Sequence, residues 1–178
     1  MRLIAQEPRN PPNDVKKYLL LHEREHQVIT VRMHPAVLLA PVAIALAGLI
    51  QALRQQPSIG GTFGLVAVGD DFFVTLRAVG GQVTVFLSDL TAALDWPLAR
   101  QVLQHLEIEL PDDEDLDQVL PAGDLSIFAD LGLDEMDLGM IAGNLDLFPD
   151  EALAIIARKL GLGQAYERAL TLALGRVP

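Results

Sequence analysis

Between Arg32 and Arg54 the chain runs for 21 residues without an Asp, Glu, Lys or Arg, centred on Ala36-Val-Leu-Leu-Ala-Pro-Val-Ala-Ile-Ala-Leu-Ala-Gly-Leu-Ile50. A helix of that length reaches about 31 Å, close to the thickness of a bilayer's hydrocarbon core. Two readings are open: a transmembrane helix over residues 33–54, or a helix of the same residues buried against protein. Pro35 suits a first turn, and Pro41 would kink a helix, which membrane helices tolerate better than soluble ones. A secretory signal is a poor match, because a long charged stretch precedes the run and no small-residue cleavage pattern follows it. Six basic residues stand before the run and only Arg54 closely after it, so a single span would hold the N-terminus in the cytoplasm and send the rest outward.

Charge divides the chain at the same place. The 178 residues hold 13 Lys+Arg and 24 Asp+Glu, a formal net charge of −11. The basic excess lies before residue 63 and nearly all the acid after it. So acidic a chain is unsuited to binding nucleic acid directly, because phosphate contacts need Lys and Arg. There is no cysteine. That excludes a disulfide framework, a thiol nucleophile, Cys-ligated zinc and Cys-held iron–sulfur clusters.

The second half has the pattern of an α+β domain. Phe72, Val74, Leu76 and Ala78 alternate with Phe73, Thr75, Arg77 and Val79, then Gly80-Gly81 leads into Val83, Val85 and Leu87. This predicts a β-hairpin over 71–88, with a third strand at 64–68 completing a small antiparallel sheet. Several short helices follow. Pro97 opens one along Leu98, Val102 and Leu106, and a shorter one starts near Asp134. Pro149-Asp-Glu151 opens another, with Leu153, Ile156, Ala157 and Leu160 as its stripe and Arg158-Lys159 in its last turn. A last helix is marked by Tyr166, Ala169, Leu170 and Ala173. The expected organisation is a charged lead-in at 1–32, an apolar helix at 33–54, a linker at 55–63 and an acidic α+β domain at 64–178.

Chemistry-bearing motifs are few. His22-Glu23-Arg24-Glu25-His26 matches H-E-x-x-H, which on a helix would set His22 and His26 on one face as zinc ligands with Glu23 as base. A third ligand is missing, since Thr30 to Gly69 holds no Asp or Glu and His34 is too close, so the pattern reads as a charged helix beside the apolar run. His105 reads as a surface or edge residue on its helix, and Ser88 lacks the G-x-S-x-G elbow. Gly60 to Gly64 lacks the P-loop lysine and reads as a linker. No catalytic residue and no cofactor signature emerges. Glu107 to Asp117 holds seven acids in eleven residues but does not space them as a calcium loop. Asp112, Asp113, Glu114, Asp115 and Asp117, with Asp134 and Glu135, are candidates for contacting a basic partner.

Five stretches carry a resemblance. Asp71-Phe-Phe-Val-Thr-Leu-Arg77, Phe86-Leu-Ser-Asp89, Trp96-Pro-Leu-Ala-Arg100, Pro121-Ala-Gly-Asp-Leu-Ser-Ile-Phe-Ala-Asp-Leu-Gly-Leu-Asp-Glu-Met136 and Phe148-Pro-Asp-Glu151 together resemble the bacterial tRNA adenosine deaminase-associated proteins, over about residues 64–167. The resemblance implies a small acidic accessory protein whose partner is the enzyme converting adenosine to inosine in tRNA, and a cytoplasmic location. The chain cannot be that deaminase, because the zinc signature H-x-E with P-C-x-x-C requires cysteine. Asp14-Val-Lys-Lys-Tyr-Leu-Leu20, His22-Glu-Arg24, Val28-Ile-Thr-Val-Arg32 and His34-Pro-Ala-Val-Leu38 resemble instead the start of bacterial pleckstrin-homology-like membrane proteins. That implies membrane attachment through 33–54, or a segment fused to the domain near residues 55–64. A membrane-tethered interaction protein is the rival to the accessory reading, and a zinc hydrolase the third.

Overall fold

A computed structural model describes residues 17–22, 28–29, 44–55, 61–110 and 118–174 of the chain. Its centre is the hairpin of β4 (Phe72–Val79) and β5 (Gln82–Leu87), joined through Gly80 and Gly81. Both glycines have positive φ, 57° and 87°, as a two-residue turn matching the strands' right-handed twist requires. β3 (Thr62–Val68) pairs antiparallel with β4, two residues longer than the sequence pattern suggests. Gly64 lies inside β3, so the glycines of 61–64 are not a linker there.

Three further strands have no alternating signature. β1 (Lys17–His22) pairs with the free edge of β3, β2 (Val28–Ile29) with β1, and β6 (Ala122–Gly123) with β5. The antiparallel sheet runs β2-β1-β3-β4-β5-β6. β1 corrects the helical reading of the lead-in. His22 ends a strand opposite Thr62, where a helical four-residue spacing does not begin, and His26 lies outside the described residues.

Both faces of the sheet are covered, which explains why β3 reads as a nearly unbroken apolar run. On one face Val66, Val68, Phe72, Val74, Leu76, Val85 and Leu87 pack with α1 (Ile44–Arg54) and α2 (Pro97–Leu106). On the other Phe63, Leu65, Phe73 and Phe86 pack with α3 (Glu135–Ala142), α4 (Pro149–Lys159) and α5 (Gly163–Leu174). The Pro97 and Pro149 starts stand where the sequence places them, as do the buried stripes at Leu98 and Val102 and at Leu153, Ile156 and Ala157. His105, in the last turn of α2, is exposed.

α1 holds the second half of the apolar run. Leu46, Leu49 and Leu53 form a buried stripe in the same cluster as the sheet, while Ala47, Gln51 and Arg54 face out. The Leu46 N–H donates to Gln101 Oε1 of α2 at 3.0 Å. Among the described residues no helix is long and apolar enough to cross a membrane. Because these leucines share the core of β3, β4 and β5, a domain beginning at residue 64 would leave part of that core behind. The first half of the run, 33–43, lies outside the described residues.

Two local devices hold the sheet to its surroundings. The Ser88 hydroxyl, 4 % exposed, accepts from the Phe73 N–H at 2.9 Å, and the Ser88 N–H donates to Phe73 O at 3.0 Å, extending the β4–β5 ladder by one side chain. Asp89 accepts from the Thr91 N–H and hydroxyl at 2.9 and 2.8 Å and from the Leu120 N–H at 3.3 Å. It thereby caps the 3-10 turn Leu90–Leu94 and ties it to the chain entering β6.

Candidate functional site

The most distinctive exterior lies on the helical face that carries α3. Its position is set from the sheet. Arg77 of β4 reaches across to the 3-10 turn Ala129–Leu131, where its guanidinium donates from Nη1 and Nη2 to the two carboxylate oxygens of Asp130, the second at 2.7 Å. Nη1 also donates to Ile127 O at 2.8 Å, and the guanidinium carbon lies 5.7 Å from the Phe63 ring centre. The Arg77 hydrogen bonds, with its charge, hold the Asp130 carboxyl below its usual range. Phe128, fully buried, meets Phe63 edge to face at 5.8 Å. Gly132 then turns at φ 91°, buried Leu133 anchors the chain again, and Asp134 caps α3 by accepting from the Asp137 N–H at 2.8 Å.

α3 has apolar side chains on two sides. Leu138 and Ile141 enter the core. Met136 and Met140, one turn apart and therefore on one face, are 74 % and 61 % exposed. Beyond the helix Leu145 and Phe148 are 80 % and 56 % exposed. Four of the seven large apolar side chains exposed among the described residues thus fall within 136–148.

The turn carrying the last two is braced. Asn144 Oδ1 accepts from the Asp146 N–H at 3.0 Å, Asn144 O from the Leu147 N–H at 3.2 Å, and the Glu151 carboxylate from the Phe148 N–H at 3.1 Å. Under it Tyr166, whose hydroxyl donates to Asp150 O at 3.0 Å, is buried, and that burial pushes its ionisation up.

Carboxylates are interspersed along the segment that carries these apolar side chains. Residues 134–151 include Asp134, Glu135, Asp137, Asp146, Asp150 and Glu151 and no Lys, Arg or His. Asp137 is paired with Lys159 of α4 at 2.6 Å. An open recess beside Met136 is lined by Ala129, Asp134 and Glu135. Leu145 stands at a cleft of about 150 Å³ whose other walls include Asp70, Asp71 and Asp89. Among the described residues no group of His, Asp or Glu is arranged to hold a metal ion.

Of the candidate partner-contacting residues, Asp134 and Glu135 stand exposed at the start of α3, beside Met136. Asp112, Asp113, Glu114, Asp115 and Asp117 lie outside the described residues. The sequence reading passes over Met136, Met140, Leu145 and Phe148. Their signal is two methionines four apart on a helix that already has a core stripe, followed by isolated apolar residues among acids.

Comparison with known sequences decides the family. A family profile described as Rv3753c-like tRNA adenosine deaminase-associated protein matches residues 32–163. The chain belongs to this family. It is 45% identical over 126 residues to Protein Rv3753c of Mycobacterium tuberculosis (strain ATCC 25618 / H37Rv), covering 70% of this chain and 72% of that one. No solved structure matches the chain. The bounds of the family match begin at residue 32 and include 55–64. All the residues of the apolar strip on α3 and the turn after it lie within the family match.

Proposed function

We propose that the chain is a non-catalytic accessory partner of a tRNA adenosine deaminase, acting in adenosine-to-inosine modification of tRNA in the cytoplasm. The observation that carries this reading is membership of a family described as associated with that enzyme. Two properties of the sequence agree with it. Without cysteine the chain lacks the ligands of a zinc deaminase's own site, which leaves it the part of partner. Its charge of −11 suits a partner of a protein that grips tRNA, because the tRNA-binding protein is the one that needs Lys and Arg to meet phosphate, and an acidic chain complements them.

The test is to purify the full chain with the deaminase of the same organism and to measure the deamination rate on tRNA with and without it. A stable complex together with an altered rate is the expected result. Absence of both a complex and a rate change overturns the reading. If charge steers the encounter, association slows as salt rises from low to moderate concentration.

A further inference from the structure

We infer that the face built by α3 and the turn into α4, with Met136, Met140, Leu145 and Phe148 exposed among carboxylates, is the surface that docks the deaminase, through an apolar ridge on the enzyme flanked by lysines and arginines. The inference rests on the partnership proposed above and adds where and by what chemistry the contact is made.

The apolar side chains are not surplus core. α3 already buries Leu138 and Ile141, so Met136 and Met140 form a second apolar side turned to water. A helix apolar on two sides belongs between two packed surfaces. Leu145 and Phe148 are held outward by a turn with three internal hydrogen bonds, so a partner meets a surface already in place and little ordering is needed on contact. Methionine adds adaptability, since its unbranched thioether chain fits irregular partners.

Charge chooses among occupants. Residues 134–151 hold six carboxylates and no cation, Asp134 and Glu135 stand exposed beside Met136, and the nearby Lys159 is paired with Asp137. A second copy of this chain docking face to face would set these carboxylates against each other, and like charges across an interface oppose association. Nucleic acid and anionic lipid carry the same sign and are disfavoured for the same reason. A protein surface with apolar side chains between Lys and Arg satisfies both parts. The charged rim orients the encounter, and the desolvated apolar centre holds the complex.

The experiment compares the full-length wild type with two variants for binding to the purified deaminase. Met136→Ser/Met140→Ser/Leu145→Ser removes exposed apolar contacts only. Leu94→Ser, on the 3-10 turn associated with the opposite face of the sheet, is the control. The expected result is a wild-type complex, a loss of about tenfold or more in affinity for the triple variant, and no loss for the control. A wild type that does not bind removes the partnership and the docking surface together. A triple variant that binds as tightly as wild type removes the docking surface and leaves the partnership standing. Hydrogen exchange on the wild-type complex gives a second readout independent of the variant's folding. Added protection of amides 136–148 supports the assignment, and unchanged exchange there in a formed complex overturns it.

Discussion

The guanidinium of Arg77 and the carboxylate of Asp130 meet through two parallel hydrogen bonds, joining the central strand β4 to a turn more than fifty residues later in the chain. Arg77 is only 12 % exposed and Asp130 62 %, so the pair has one foot in the core and one in water. Its effect is to fix the 3-10 turn from which α3 departs, and with it the orientation of the exposed methionines. Replacing Arg77 by Ala removes this link and the bond to Ile127 O, with an expected loss of about 1–2 kcal/mol. A double-mutant cycle with Asp130→Ala, read by chemical denaturation, checks it. Additive losses would mean that the two residues do not interact.

The same pair predicts a pH dependence. Asp130 has a lower pKa in the folded protein than its ordinary 3.8, so the folded state binds fewer protons at that site. Its contribution is complete above the unfolded value and disappears as the pH falls through the lower folded value. Asp130→Asn should therefore lose less stability than wild type on acidification below about pH 4, the ordinary carboxylate range. Melting temperatures at pH 7 and pH 3 provide the comparison, and parallel declines would contradict it.

Ser88 illustrates a hydroxyl with a structural task. In Ser88→Ala the buried Phe73 N–H loses its acceptor, for an expected cost of about 1–3 kcal/mol. Urea denaturation measures it, and an unchanged midpoint would show that another acceptor takes over.

Gly123 sits at φ 94° where β6 meets β5, and a Cβ there would lie 2.3 Å from Val85 O, a backbone atom with no freedom to move aside. Strain and clash add, so Gly123→Ala should destabilise the chain by roughly 2 kcal/mol or more. A melting temperature within a degree of wild type would refute the contact.

Leu53 tests the helix that composition leaves open between membrane and core. At 1 % exposure it belongs to the cluster containing Leu76 and Leu87, and Leu53→Ala should cost about 2–5 kcal/mol through the cavity it leaves. Cooperative unfolding of the full chain without detergent measures this. No change in stability would detach α1 from the core.

What could be read before folding was local. The alternation around Phe72–Val79 and the Gly80-Gly81 turn define a hairpin whatever surrounds them, because side-chain period and turn geometry are properties of a few consecutive residues. Pro97 and Pro149 mark helix starts for the same reason. β1, β2 and β6 have no such signature. They are extended because a neighbouring strand offers unpaired N–H and C=O groups, which no window along Lys17–His22 or Ala122–Gly123 records. Of the docking face only Asp134 and Glu135 were visible. An exposed methionine and a buried one have the same letter, and exposure is assigned by what the rest of the chain covers.

The charge-free run shows where the division falls. By itself the sequence determines that Leu46, Leu49 and Leu53 must leave water, since apolar burial is required in lipid and in protein alike. It also determines that a chain without cysteine cannot carry a zinc deaminase's ligands. Only the tertiary structure decides what receives those leucines. The sheet face of Val66, Val74 and Leu76 lies next to α1, so Leu46, Leu49 and Leu53 become one side of a core. The physical reason is that hydrophobic free energy depends on area removed from water and is indifferent to which surface removes it.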